Sequence, residues 1–505
     1  MTDQSLISFS ADELSAHAIA NARDVAELKC VVDELARRAK KRGRLNKRAQ
    51  ATLLTVTRLV RELSAAVPNA ETTQESPSLY KWQKEALVAW RASGKKGIVE
   101  AVTGGGKTRV AIAAIKEQLD SELGTVVLVP SVILLHQWYD ELCECFPNAQ
   151  IGRLGDGHHD SLSDCDILVA TAQSSSRHVL TDGSANALLV ADEVHRFGAK
   201  TYRLALEEGF PRRLGLSATW ERQDGAHEEV LKPYFGSVVF TLNFARARQD
   251  AIIAPFKLAL IGVDLTSAER DEYETEGKKM GRQRRRLVTD FGAPDDDRFF
   301  QWLADAQKGK VPGAQRAAGI FHSAMTKRRS LLAEAEAKID AVNELAPHIG
   351  DGRRVIVFTE TIDAADEIAE VWRNEYSECS SYHSTLSQDE QDEILERFRS
   401  GDLRHIVVAK KFDEGVDIPN ADVAFIVSTS RSNTQLVQRA GRVLRRKTDN
   451  REAWIILLFA RGTTEDPAYG ALEEALDDLQ AAANKSAEIL FDAGPKQLMH
   501  FLKDT

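Results

Sequence analysis

The first 66 residues and the rest of the chain follow different hydrophobic rhythms. From about residue 11 to 66 the sequence is rich in Ala, Leu, Glu, Arg and Lys, with one glycine, Gly43, and no proline before Pro68. Val25, Leu28, Val32 and Leu35 recur at helical spacing, and Leu53, Leu54, Val56, Leu59, Val60 and Leu63 form a second apolar set. That period predicts a helical hairpin or short coiled coil bending near Gly43. A polar stretch at 67–78, VPNAETTQESPS, reads as a linker. Beyond it, short apolar runs alternate with helical stretches: 97–102, 126–130, 167–170, 187–191 and 213–216, then 355–358, 406–409, 423–427 and 454–458. Continuous apolar runs separated by helices are what a parallel sheet buried on both faces requires. The segment between the two series, about 265–345, is charged and helix-rich. The expected architecture is therefore α/β, two parallel-sheet domains in tandem behind an N-terminal helical arm. Its expected divisions are 1–70 helical arm, 78–255 first domain, 256–345 helical inter-domain segment, 346–465 second domain and 466–505 helical acidic tail.

Composition narrows this picture modestly. At 505 residues, 43% hydrophobic and 28% charged, the chain can bury sizeable cores. It contains no run of about 18 apolar residues, so no membrane partner is expected. Five cysteines (30, 143, 145, 165, 379) form neither a disulfide framework nor a zinc-type spacing, which fits a reducing, cytoplasmic setting. A net charge of −10 argues against coating nucleic acid by bulk charge. Basic residues nevertheless cluster, eight of them between Arg37 and Arg48, and again at Arg282, Arg284, Arg285 and Arg286. Each cluster is either a contact for DNA or a protein partner, or a solvated face.

The chemistry gathers at strand ends. The run 97–102 leads into Thr103-Gly104-Gly105-Gly106-Lys107-Thr108 and then a helix-forming stretch. Such glycines let backbone N–H groups turn toward phosphate oxygens at a helix N-terminus; Lys107 would reach the outer phosphates and Thr108 would hold Mg²⁺. A glycine turn before an ordinary helix is the plainer alternative. Downstream, the run 187–191 ends in Asp192-Glu193-Val194-His195. One carboxylate there can hold Mg²⁺ through water while its neighbour orients and deprotonates the attacking water, beside the loop in a sheet of this kind; a solvated acidic pair starting a helix is the plainer alternative. Further on, Gln438-Arg439-Ala440-Gly441-Arg442-Val443-Leu444-Arg445-Arg446 sets guanidinium groups on a helix, the group phosphoryl transfer needs opposite the phosphates.

In order and over about residues 79–460, these segments resemble a superfamily 2 helicase. Gln83 resembles the adenine-recognising glutamine and 103–108 motif I. Val129-Pro130 and 170–173 (ATAQ) resemble motifs Ia and Ib, 192–195 motif II and 216–219 (LSAT) motif III. Thr359-Glu360 resembles motif IV, 413–419 (DEGVDIP) motif V and 438–445 motif VI. The DEVH box, the run 212–225 and DEGVDIP are most similar to the XPB-like DNA helicases and their phage and archaeal relatives. Where that family has an Arg-Glu-Asp loop linked to unwinding, this chain reads Arg222-Gln223-Asp224, and the helical arm stands in place of a damage-recognition domain.

The resemblance implies two RecA-like domains clamping ATP and Mg²⁺, with one nucleic-acid strand across both. It assigns Lys107, Asp192, Glu193, Arg442 and Arg445 to catalysis. Gln83, Thr103, Gly104, Gly105, Gly106, Lys107, Thr108, Gly415 and Asp417 are assigned to ATP. His195, Ser217, Thr219 and Gln438 would couple hydrolysis to movement, and Thr108 and Asp192 would hold the metal. Pro130, Thr171 and Thr359 would face the strand. Position alone adds Arg284 and Arg285, in a thumb-like segment. DNA is the expected partner, with RNA the alternative. A protein partner is expected at 11–66, where the chain would dock if it were instead a motor subunit of a defence or restriction complex. Trp82 is placed either in the core or against adenine.

Overall fold

The structure, a computed structural model, describes residues 79–505 apart from 182–185, 223, 297, 350–351, 377, 410–420, 429–432, 447–450, 471–472, 492–494 and 505. The expected arm (1–70), the basic run within it and the DEGVDIP segment with Gly415 and Asp417 lie outside the described residues.

Fifteen strands in these residues form two sheets. The first takes β1 Lys96–Ala101, β2 Thr125–Val129, β3 Ile151–Gly155, β4 His158–His159, β5 Ile167–Thr171, β6 Leu188–Ala191, β7 Arg212–Ser217 and β8 Val238–Leu242. Their order is β4-β3-β5-β2-β6-β7-β1-β8, parallel except for the short β4. The second takes β9 Phe256–Val263, β10 Val355–Thr359, β11 Cys379–Tyr382, β12 His405–Ala409, β13 Val423–Ile426, β14 Ala453–Ala460 and β15 Lys485–Leu490, in the order β11-β12-β10-β13-β14-β9-β15, all parallel. The central strands β2, β5, β6, β10 and β14 are buried along their whole length, which is why they read as unbroken apolar runs.

Helices start and stop where local chemistry dictates. Ser131 caps Val132–Cys145 by accepting from Leu134 N at 3.4 Å. Thr266 and Glu269 form a reciprocal capping box at the head of Ser267–Phe291, which ends on Gly292 in the left-handed region.

Two expected boundaries differ from the structure. The segment 256–345 does not link the domains as a helical unit: its first eight residues are β9, inserted between β14 and β15 of the second sheet, and every β9 residue is buried. Glu336–Leu345 also packs on that sheet, through Ile339, Val342 and Leu345. The chain has therefore entered the second lobe by residue 256, and the helices Ser267–Phe291, Phe299–Gln307 and Gln315–Ala333 are an insertion of that lobe. They pack around their own core of Leu287, Phe299, Leu303 and Phe321. The tail 466–505 is likewise not wholly helical. Its strand β15 edges the second sheet with mostly exposed side chains, so no apolar run marks it.

The tail also ties the lobes together. Phe244, on the short helix Phe244–Gln249 after the first sheet, donates its N–H to Asp478 of the helix Glu473–Ala482 at 3.1 Å. Arg248 donates to Asn484 Oδ1 at 2.9 Å.

Candidate functional site

Residue Gly106 ends the glycine loop at φ 90° and begins the helix Lys107–Leu119; Gly104 is also left-handed, at φ 81°. Side chains rarely adopt that backbone, and space is short as well. A Cβ on Gly106 would lie 2.8 Å from Gln83 Nε2, and one on Gly105 3.0 Å from Val102 O. Gln83, itself buried, donates from Nε2 to Gly106 O at 3.0 Å and accepts from Tyr80 N at 2.8 Å. Lys107 reaches back to donate to Ala101 O at 2.9 Å. Burial holds the Lys107 pKa below the ordinary lysine value, against the pull of Glu193 and Asp192 and with a push from Arg442.

The DEVH residues follow β6 at the same end of the sheet. Trp138 donates its indole N–H to Asp192 Oδ2 at 2.9 Å, and Asp192 Oδ1 accepts from Glu193 N at 3.0 Å. Burial first, and the neighbouring Glu193 charge second, raise the Asp192 carboxyl to about 6. Glu193 sits at φ 49°, an uncommon backbone for a non-glycine residue. Its Oε2 is buried with no hydrogen-bond partner among the described residues and lies 3.5 Å from His195 Nδ1.

His195 Nδ1 is 3.0 Å from Ser217 Oγ. Because the Ser217 hydroxyl donates to Thr219 O, the imidazole must be the donor in that contact, which assigns a neutral Nδ1–H tautomer. Burial, reinforced by Arg196, Arg222 and Lys107, lowers the His195 pKa to about 3. Arg222 donates to His195 O at 2.6 Å and pairs through two nitrogens with Asp224. The Arg222–Asp224 pair thus grips the backbone of the DEVH turn.

From the second lobe, the helix Asn433–Val443 faces the glycine loop. A Cβ on Gly441 would lie 2.4 Å from Thr103 Cβ, so the helix backbone rests on the loop itself. Arg445 Cγ lies 3.1 Å from where a Gly104 Cβ would be. Backbone pairing of Arg445 with Ile253, with Ala254 N donating to Leu444 O at 2.8 Å, holds that stretch in place. Gln438 is half-buried on the same helix.

The residues expected to face a strand fare unevenly. Thr359 is fully buried, and its hydroxyl donates to Thr361 O at 3.0 Å and Val408 O at 3.3 Å. Thr171 is buried too, capping Ala172–Ser175 and hydrogen-bonded to Ser174 Oγ at 3.0 Å; Pro130 is buried. Neither threonine hydroxyl is presented to a ligand. Arg284 is held on Asp295 at 2.7 Å and lies over the Phe299 ring, whereas Arg285 is exposed. Trp82 is fully buried and stacks on Phe240, so it belongs to the core.

Sequence reading missed Trp138, Glu100 and the pairing partner of Arg439. Nothing distinguishes Trp138 in sequence from a core tryptophan. Glu100, whose Oε1 accepts from Trp220 N at 2.8 Å, had a signal: a lone carboxylate inside an apolar strand. Arg439 donates to Glu360 Oε1 at 2.9 Å. No cluster of three or more His, Cys, Asp or Glu side chains placed to hold a metal ion occurs among the described residues.

Comparison with known proteins decides the family. Residues 76–222 match the type III restriction enzyme res subunit family and 337–447 the helicase conserved C-terminal domain. The chain is 30% identical over 387 residues to the DNA 3'-5' translocase XPB2 of Sulfurisphaera tokodaii, covering 76% of this chain and 82% of that protein. The chain belongs to the XPB-like group of superfamily 2 helicases. This XPB-like helicase is thus a nucleic-acid-dependent ATPase, an ATP-dependent DNA helicase or translocase. It is 25% identical to the DNA 3'-5' helicase XPB of Kineococcus radiotolerans over 75% of its own length but only 59% of that relative's, and 24% identical to the XPB of Mycobacterium tuberculosis, covering 81% and 68%. The structure of S. cerevisiae Dbp5 bound to RNA and ADP BeF3 matches its fold with a TM-score of 0.54 at 14% identity, over 84% of this chain and 93% of that one. No helix among the described residues is long and apolar enough to cross a membrane.

Proposed function

We propose that this helicase moves along DNA in the 3'-5' sense by hydrolysing ATP between its lobes, with Lys107, Thr108, Asp192 and Glu193 acting from the first and Arg442 and Arg445 from the second. The observation that supports this most is the seating of the arginine helix on the glycine loop, Gly441 against Thr103 and Arg445 beside Gly104.

Thr103 Oγ1 and Glu193 Oε2 are buried without hydrogen-bond partners among the described residues, and the left-handed glycines turn the loop backbone into a cradle; both features fit a bound nucleotide with its metal. Thr108 and Asp192 would hold Mg²⁺, which neutralises phosphate charge when bound. Gln83, locked to Gly106 O, would orient the adenine edge, with Gly415 and Asp417 shaping the nucleotide site from the second lobe. Lys107 would give up its bond to Ala101 O for the outer phosphates. Glu193 would take a proton from the attacking water at Oε2, while Arg442 and Arg445 balance charge spreading over the transferred phosphoryl group. Neutral His195, bonded to Ser217 and through it to Thr219, would report that event to the strand side, with Gln438 on the arginine helix.

With both threonine hydroxyls occupied internally, grip on the strand falls to backbone near Pro130, Thr171 and Thr359 and to exposed Arg285, contacts made to phosphates and largely indifferent to sequence. Lys107→Ala and Glu193→Gln should each lower DNA-stimulated ATP turnover by about a hundredfold or more with the melting temperature little changed. Turnover measured with single-stranded DNA, duplex DNA and RNA side by side tests both parts. A variant hydrolysing ATP at the wild-type rate would remove the site, and preferential stimulation by RNA would remove the substrate.

A further inference from the structure

A continuous buried polar chain runs from the arginine helix to the base of the helical insertion, and neither ATP chemistry nor strand contact accounts for it. Arg439, on the same helix as Arg442, donates to Ser428 O at 2.7 Å just past the end of β13. Ser428 Oγ donates to Glu465 Oε1 at 3.3 Å, in the loop after β14. Glu465 Oε2 accepts from Lys338 Nζ, and the same ammonium donates to Leu332 O at 2.8 Å. Leu332 is in the last turn of the insertion helix Gln315–Ala333, so Lys338 neutralises the negative end of that helix. Arg439, Ser428, Glu465 and Lys338 are all buried, Lys338 completely.

The loop carrying Glu465 also holds the other long helix of the insertion. Arg270 donates to Arg461 O at 2.7 Å and Gly462 O at 3.2 Å, and Thr464 N donates to Tyr273 Oη at 2.9 Å. Both helices of the pair are thus anchored at one end on residues 461–466, and that loop is bonded through Ser428 to the arginine helix. A buried network of this kind resists partial rupture, because each broken contact leaves a charge or carbonyl without solvent. Such a network favours rigid over piecemeal displacement. A helix of 19 residues extends roughly 28 Å from such an anchor, so a small tilt at Leu332 becomes a large displacement at the far end.

We propose that Lys338 and Glu465 are positioning residues that transmit movement of the arginine helix to the helical insertion, so that strand movement depends on them and ATP cleavage does not. This rests on the translocase reading above. Removing one partner alone would strand a buried charge, so the test uses the full chain carrying Lys338→Met with Glu465→Leu, an apolar pair of similar volume. ATP turnover without DNA should match wild type, while streptavidin displaced from biotinylated DNA per ATP hydrolysed should fall about tenfold. Ser428→Ala, which removes only the bridging hydroxyl, should lower the same ratio in the same direction, and carries the test if the double variant lacks a folding transition. A displacement ratio equal to wild type in the folded variants overturns the coupling while leaving the translocase reading intact. Parallel loss of basal turnover and displacement also overturns it, since that marks ordinary structural damage. A wild-type chain that hydrolyses ATP but displaces no streptavidin overturns the translocase reading and this coupling together.

Discussion

His195 shows how much one buried group can decide. Its pKa of about 3 lies below the value near 6.5 expected in the unfolded chain, so between those values the unfolded state binds the extra proton. Stability from this residue is therefore fully present above pH 6.5 and declines as pH falls toward 3. From pH 7 to pH 5 the loss should be about 2 kcal/mol. His195→Asn should flatten that part of the pH dependence, read from urea midpoints at the two pH values; an unchanged slope would mean that the imidazole is not buried as described. In the sequence, His195 was visible as part of DEVH, but its neutrality was not, because Arg196, Arg222 and Lys107 reach it from three places in the chain. Thr359 teaches the converse. Its motif position was legible, yet its hydroxyl is spent on Thr361 O and Val408 O, a fact that only strand pairing creates. No described cysteine is in a disulfide, and burial raises Cys379 to about 12 and Cys165 to about 11, keeping both protonated at neutral pH.

Among elements, the helix Asn433–Val443 matters most, because its contact with the glycine loop leaves no room for a side chain. Gly441→Ala would place a methyl group 2.4 Å from Thr103 Cβ and 2.9 Å from Thr103 O. The lobes would then be held apart and ATP turnover should fall by about a hundredfold, with little change in the melting temperature, since the clash lies between lobes rather than within one. Turnover and a thermal melt check this; undiminished turnover would mean that the seated helix is not the working arrangement. Fully buried strands such as β2, β5 and β10 were legible as apolar runs. Edge strands were not. The exposed pattern of β15 and the two residues of β4 offer no apolar signal, and β9, FKLALIGV, carries Lys257 and Gly262 within its apolar residues and so does not by itself distinguish strand from helix.

Across the molecule, the described residues form extensive buried cores in both lobes and in the insertion. A chain beginning at residue 79 should therefore melt cooperatively and keep its ATP turnover, measured beside the full chain with and without DNA. If turnover collapses, residues 1–78 take part in catalysis rather than in docking a partner. The sequence by itself determined the class of fold and where along the chain the glycine loop, the DEVH carboxylates and the arginine helix fall, because each depends on a local pattern: apolar period, glycine freedom or charge spacing. Tertiary structure alone decided which lobe owns β9, that the tail stitches the lobes at Asp478, and that Lys338 meets Glu465. Those contacts join residues far apart in the chain, and no short-range preference of the backbone encodes which distant partner a buried group will find.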